Sequence, residues 1–159
     1  MRVGIGFDIH PLVGGRELIL GGKKIDFEKG LLGHSDGDVL IHSVIDSILG
    51  AVGEKNIGEF FPDSDPKYRG ISSLKLLQKI AKLLKRKNSS VMNIDSVIIA
   101  QKPEITPHVK DMKKNISKVL GISEQFIGIK AKSHEGIGEI GRGEAISCYS
   151  VVLVKEKKK

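Results

Sequence analysis

The stretch AISCYSVVLV, residues 145–154, is apolar or small on both of its alternating faces. Successive residues of a strand point to opposite sides of a sheet, so a strand of this kind needs cover on both sides. Working outward from it, RVGIGFDIH (residues 2–10) reads as a first strand. RELILGG and KKIDF read as short strands joined by glycine turns, and EKGLLGHSDGD as a polar loop. Asp36 or Asp38 is placed to cap a helix over about residues 38–52, which ends near Gly53. The segment from Gly53 to Gly70 is a long polar loop with room for one short helical turn, in which Pro62 and Pro66 resist regular structure.

A second helix is expected over about residues 72–87, with Leu76, Leu77, Ile80, Leu83 and Leu84 as its apolar stripe. SVMNIDSVIIAQ contains a strand, TPHVKDMKKNISKVLG reads as a third helix ending at Gly121, and QFIGIKAKS as one more strand. The expected fold is therefore α/β: one domain over residues 1–159, with a mixed sheet and helices on one face. Three long helices cover one face only, so the other is expected to pack against further subunits.

Composition narrows the function classes. The net charge of +7 invites a nucleic-acid partner. Much of it, however, sits in the tail Lys155–Lys159, expected to fray, and on one helix face, Lys75, Lys79, Lys82 and Arg86. Aromatic residues, at 4%, offer little for base stacking. Neither a nucleic-acid nor a membrane partner is expected, since no run of ~18 apolar residues is present. Cys148 is the only cysteine, which excludes an intramolecular disulfide and suits a small buried hydrophobe. The start, MRVGIGFD, lacks the apolar core of a signal peptide, so the cytoplasm is the expected location.

Three clusters carry chemistry. Asp8 and His10 are two apart on a strand and share a face, while His42 lies on the following helix. Together they offer the three N/O ligands that suit an open zinc site, with Asp38 or Asp46, one helical turn either side of His42, placed to orient its imidazole. FPDSDP, residues 61–66, could hold a cation or bind a polyol, or be a surface turn. KAKSHEGIGEIGRGEA, residues 130–145, mixes cations, acids and glycines that could cradle phosphate. Its GIGEIG is not a dinucleotide fingerprint, because it does not join a strand to a helix in a βαβ unit. His134 reads as a solvent-facing side chain.

The ordered set GIGFDIHPL, GLLGHSDGDVLIHSVIDSILGA, IGEFFPDSDP, AQKP, KAKSHEGIG and GRGEAI covers nearly the whole chain. It resembles the 2-C-methyl-D-erythritol 2,4-cyclodiphosphate synthase family. The resemblance implies a homotrimer, with sheets around a threefold axis and active sites at subunit junctions. It implies zinc on Asp8, His10 and His42, and magnesium or manganese on Glu135. His34 and Ser133 are the implied catalytic hydrogen-bond donors. Substrate contacts would come from Asp8, His10, His34 and Ser35, and from Asn56, Ile57, Gly58, Phe61, Asp63 and Asp65. Ala100, Pro103, Ile105 and Thr106, with Ala131, Lys132 and Ser133, would frame a cytidine. Glu135 and Arg142 complete the implied set.

The implied reaction closes a CDP-linked methylerythritol phosphate into a cyclic diphosphate and releases CMP. An alternative on the same scaffold is a metal-dependent nucleotide or phosphoester hydrolase. The sequence departs from the family pattern at Asn56, where Asp is usual, at Lys132–Ser133, where Thr-Thr is usual, and at Glu104, often basic. Glu139 stands where Phe is common. An isoprenoid diphosphate, which the family can hold with Arg142 at its head group, would find Glu139 beside its tail.

Overall fold

The computed structural model describes residues 1–156. In chain order the elements are β1 (Arg2–Gly14), β2 (Leu18–Leu20), β3 (Lys23–Ile25), β4 (Lys29–Leu31), α1 (Val39–Ala51), α2 (Ile57–Phe60) and α3 (Ser73–Arg86). Then follow β5 (Ser89–Ile99), α4 (Val109–Leu120), β6 (Ile127–Lys132), α5 (Gly138–Gly141) and β7 (Ala145–Glu156). One sheet has the order β4-β1-β7-β5-β6, and β2-β3 form a separate hairpin. The two-sided stretch thus lies in the central strand. Only the β5–β6 pairing is parallel; β7 runs antiparallel to both neighbours.

Helix α1 lies directly on β1 and β7. It is apolar around its circumference and almost wholly buried, as such helices must be. Ile41, Ile45 and Ile48 are fully sequestered, each contributing about 2 kcal/mol of apolar burial. The close approach depends on Gly4 and Gly6. A Cβ on Gly4 would stand 1.9 Å from the Ser47 carbonyl oxygen, and one on Gly6 2.0 Å from that of Ser43. Small residues continue the bed on β7, where Ser150 bridges Ser43 of α1 (2.7 Å) and Ser96 of β5 (2.8 Å) through their hydroxyls.

Asp38 caps α1 and is fully buried. Its carboxylate accepts from Ile41 N at 3.1 Å and from Gly21 N and Gly22 N at 2.9 and 2.7 Å. Burial pushes this carboxyl up to about 6, with nearby Asp36 adding to the rise and the three N–H donors opposing it. The cap thereby ties the β2–β3 turn to the start of α1.

Helices α3 and α4 follow the expected patterns. Leu76, Leu77, Ile80 and Leu84 of α3 are buried, with Leu83 half-buried. α4 stops at Gly121, whose φ of 69° is the left-handed conformation that glycine adopts without strain. Strand β4 falls inside the segment expected to be a loop. It pairs with Leu12–Gly14 of β1, and three residues are too few to show a periodicity. Lys155 and Glu156, expected to fray, instead pair with Ser90 and Ser89 as the end of β7; Lys157–Lys159 lie outside the described residues. Among the described residues no helix is long and apolar enough to cross a membrane.

Candidate active site

Even-numbered residues of β1 face α1, so the tight seating of that helix brings His42 over Asp8 and His10. Asp8 Oδ2 lies 2.9 Å from His42 Nδ1 and 3.1 Å from His10 Nε2. One ligand atom from each of the three residues lies within 4.8 Å of the others. Burial raises the Asp8 pKa, but hydrogen bonds and charge from His10 and His42 outweigh it and hold the carboxyl below its usual range. For His10, burial lowers the pKa; the bond and charge of Asp8 reverse this and leave it raised.

The donor chemistry fits a metal ion. His10 Nδ1 lies 2.7 Å from the Leu32 carbonyl, which can only accept, so Nδ1 keeps a proton in either charge state, and Nε2, which donates to Asp8 in the charged ring, is the nitrogen that offers a lone pair once the ring is neutral. A carboxylate and two imidazole nitrogens converging on one point can share protons or hold a cation between them. Two imidazoles and one carboxylate are a donor set of catalytic zinc sites, and the Leu32 carbonyl is the outer partner such imidazoles need.

Around the three ligands lies a cavity of about 200 Å³, which His34, Ser35, Ile57, Gly58, Phe61, Asp63, Tyr68 and Leu76 also line. His34 Nε2 is buried without a hydrogen-bond partner there. Arg16 steadies the His34–Ser35 loop by donating to the Ser35 carbonyl at 3.0 Å. Asp46 accepts from Ile57 N at 2.7 Å and so pins α2 against α1.

A second cavity, of about 520 Å³, is lined by Ala100, Pro103, Ile105, Thr106, Ala131, Lys132 and Ser133, all expected, together with Phe27, Gln101, Lys102 and Glu104. The two cavities share no lining residue. Ser133 donates to the Glu135 carboxylate at 2.5 Å, and the Gln101 side chain accepts from Gly136 N at 3.2 Å, which holds the Glu135 turn beside this cavity.

Other expected residues stand apart from both. Asn56 caps α2, accepting from Glu59 N. Asp65 caps the turn at Pro66–Tyr68 and pairs with Lys67. Arg142 pairs with Glu144 and Glu139 at the side of a separate hollow.

One expectation is corrected. Neither Asp38 nor Asp46 reaches the His42 imidazole, because their carboxylates are taken up by backbone N–H groups of Gly21, Gly22, Ile41 and Ile57. Ser73 and Ser35 take that place, their hydroxyls 2.8 and 3.1 Å from His42 Nε2. Tyr68 and Phe27 line the cavities and Ser73 meets His42 without a sequence signal for those roles, and Leu76 was read only as part of an apolar stripe.

Residues 1–155 match the YgbB family. The chain is 56% identical over 155 residues to the 2-C-methyl-D-erythritol 2,4-cyclodiphosphate synthase of Caldicellulosiruptor bescii, covering 98% of the chain and 99% of the relative. It is 58% identical over 154 residues to the protein of the same name from Clostridium acetobutylicum, covering 97% and 99%. Among solved structures it is similar to Plasmodium falciparum IspF in complex with CDP, with a TM-score of 0.87 and 41% identity over 99% of this chain and 97% of that one. Bifunctional IspDF from Campylobacter jejuni superposes with a TM-score of 0.94 at 38% identity; 99% of this chain matches 42% of that one.

Proposed function

The chain belongs to the YgbB family, and on that premise we propose that it converts 4-diphosphocytidyl-2-C-methyl-D-erythritol 2-phosphate to 2-C-methyl-D-erythritol 2,4-cyclodiphosphate and CMP. It would be a phosphorus–oxygen lyase of non-mevalonate isoprenoid precursor biosynthesis, acting in the cytoplasm as a single-domain protein. The observation that carries the reading is the convergence of Asp8, His10 and His42 at one cavity. The alternative hydrolase finds no support, since the relatives share the name of a cyclising synthase.

The reaction needs no protein nucleophile, because the 2-phosphate of the substrate attacks the β-phosphorus of its own diphosphate. The obstacle is charge: two unit anions at ~3.5 Å repel by ~5 kcal/mol at an effective dielectric of ~20. Zinc on Asp8, His10 and His42, and magnesium or manganese on Glu135 with the substrate phosphates, would supply Lewis-acid neutralisation when bound. The chain's own part is to hold the reacting ends together. His34, with its Nε2 buried and unpartnered, would bond a phosphoryl oxygen, and Ser133 would do so from the other side by turning its hydroxyl proton away from Glu135 when that carboxylate holds its metal. Asp63, Ile57 and Gly58 would hold the methylerythritol. Ala100–Thr106 and Ala131–Ser133 would take the cytidine. Asn56, Asp65 and Arg142 would act at the margins of the substrate.

With the metal and nucleotide cavities separate on one chain, one substrate can join them if a neighbouring chain supplies the second. We propose a homotrimer in which the open β1–β7 face packs around the threefold axis and each active site spans a junction. Val3 and Ile5 on that face are 67% and 69% exposed.

Phosphorus NMR on the CDP-linked substrate tests the activity. A cyclic diphosphate with CMP is expected, lost on chelation and restored by added metal. A linear bisphosphate as product would sink the reading.

A further inference from the structure

We propose that Asp36 and Ser73 fix the tautomer of His42 and thereby make its Nδ1 a ligand atom, an inference that rests on reading Asp8, His10 and His42 as a metal centre. Ser73 is fully buried at the start of α3 and touches both neighbours. Its hydroxyl lies 2.5 Å from Asp36 Oδ1 and 2.8 Å from His42 Nε2. Its backbone N–H donates to Asp36 Oδ2 at 2.8 Å.

A serine hydroxyl has one proton, and a carboxylate can only accept. The proton of Ser73 is therefore committed to Asp36. Toward His42 the Ser73 oxygen can only accept, so Nε2 must carry the imidazole proton. In the neutral ring the lone pair is then left on Nδ1, the nitrogen that faces Asp8 Oδ2 at 2.9 Å. Ser35 cannot make this choice, because its hydroxyl, 3.1 Å from Nε2, can turn to donate or accept. The direction of the chain Asp36–Ser73–His42 is set at its far end by the carboxylate. Asp36 and Ser73 are positioning residues; neither is a ligand.

Asp36→Asn is the sharp test, since it is nearly isosteric. Two backbone N–H groups compete for the Asn oxygen, that of Ser73 at 2.8 Å on the Oδ2 side and that of Asp38 at 3.2 Å on the Oδ1 side; the shorter contact keeps the oxygen, so the amide N–H₂ turns to the Ser73 hydroxyl. Ser73 then accepts from Asn and donates to His42 Nε2, which drives the imidazole proton to Nδ1. Long-range nitrogen NMR on the full-length metal-free protein reads the tautomer, and competition with a chromophoric chelator reads zinc affinity. In the unsubstituted protein Nε2 is expected to be protonated. In Asp36→Asn the proton is expected on Nδ1, with zinc bound about 10- to 100-fold more weakly. Ser73→Thr keeps a hydroxyl and is expected to retain the original tautomer and affinity.

Unchanged tautomer and zinc affinity in a folded Asp36→Asn protein overturn the proposal. Should that variant fail to fold, Ser73→Ala decides. It is expected to give mixed tautomers and weaker zinc binding, and unchanged values refute the relay. Failure of the unsubstituted protein to bind zinc removes the metal reading itself, a separate outcome.

Discussion

Even-numbered residues of β1 look inward and odd-numbered ones outward, and the two sets invert the usual division of labour. The inward series is Gly4, Gly6, Asp8, His10 and Leu12; the outward series is Val3, Ile5, Phe7 and Ile9, all exposed on the single chain. A surface strand ordinarily buries its apolar side and wets its polar side. Here the inward glycines admit a helix at backbone contact, and the two residues after them serve the cavity which that contact creates. The inward face lines the cavity, and the outward face is the apolar surface that the proposed trimer would bury.

Four experiments press on this contrast, from the largest effect to the smallest. His42→Ala removes a ligand carried by the helix. Elemental analysis should show zinc falling from about one ion per chain to none while circular dichroism stays unchanged. Full zinc retention would show that the inward face does not form the metal centre.

Gly6→Ala attacks the seating of the helix. The added methyl would stand 2.0 Å from a backbone oxygen, where no rotamer relieves it. A loss of about 3 kcal/mol is expected in urea unfolding, with weaker zinc binding because His42 is displaced. A loss under about 1 kcal/mol would mean that the helix seat is loose.

Ile5→Asp tests the outward face. Sedimentation should show monomer in place of trimer, since a buried unpaired polar group costs about 2 kcal/mol at each interface. Zinc binding should persist, because the ligands face the other way; an unchanged trimer would remove the proposed packing.

The smallest effect concerns Phe7 and Tyr149, which are cross-strand partners with ring centroids 4.6 Å apart. A double-mutant cycle to Ala should give a coupling of about 1 kcal/mol, and additivity would make the pair a passive contact.

Strand parity alone put Asp8 and His10 together, because the period of two holds for any strand. The apolar stripe of α3 and the glycine stop of α4 were equally legible as local patterns. The cap of α1 was half legible: two acids were candidates, and Asp38 takes the role while Asp36 serves Ser73 instead. The partner of His42 was not legible. Asp38 and Asp46 lie at helical spacing from it, but spacing does not show where a carboxylate finds its donors. Those donors come from the turn at Gly21–Gly22 and from Ile57.

By itself the sequence determined the order of elements, the shared face of Asp8 and His10, and the surplus of apolar surface on β7. Each follows from local geometry or composition. Tertiary structure alone decided that Ser73 meets His42 across 31 residues, that the cavity at Asp8, His10 and His42 is separate from the one at Ala100–Thr106 and Ala131–Ser133, and that Asn56 and Asp65 act as caps. Those outcomes depend on which donors and acceptors the packed chain brings within ~3 Å of each other, and no local pattern encodes that distance.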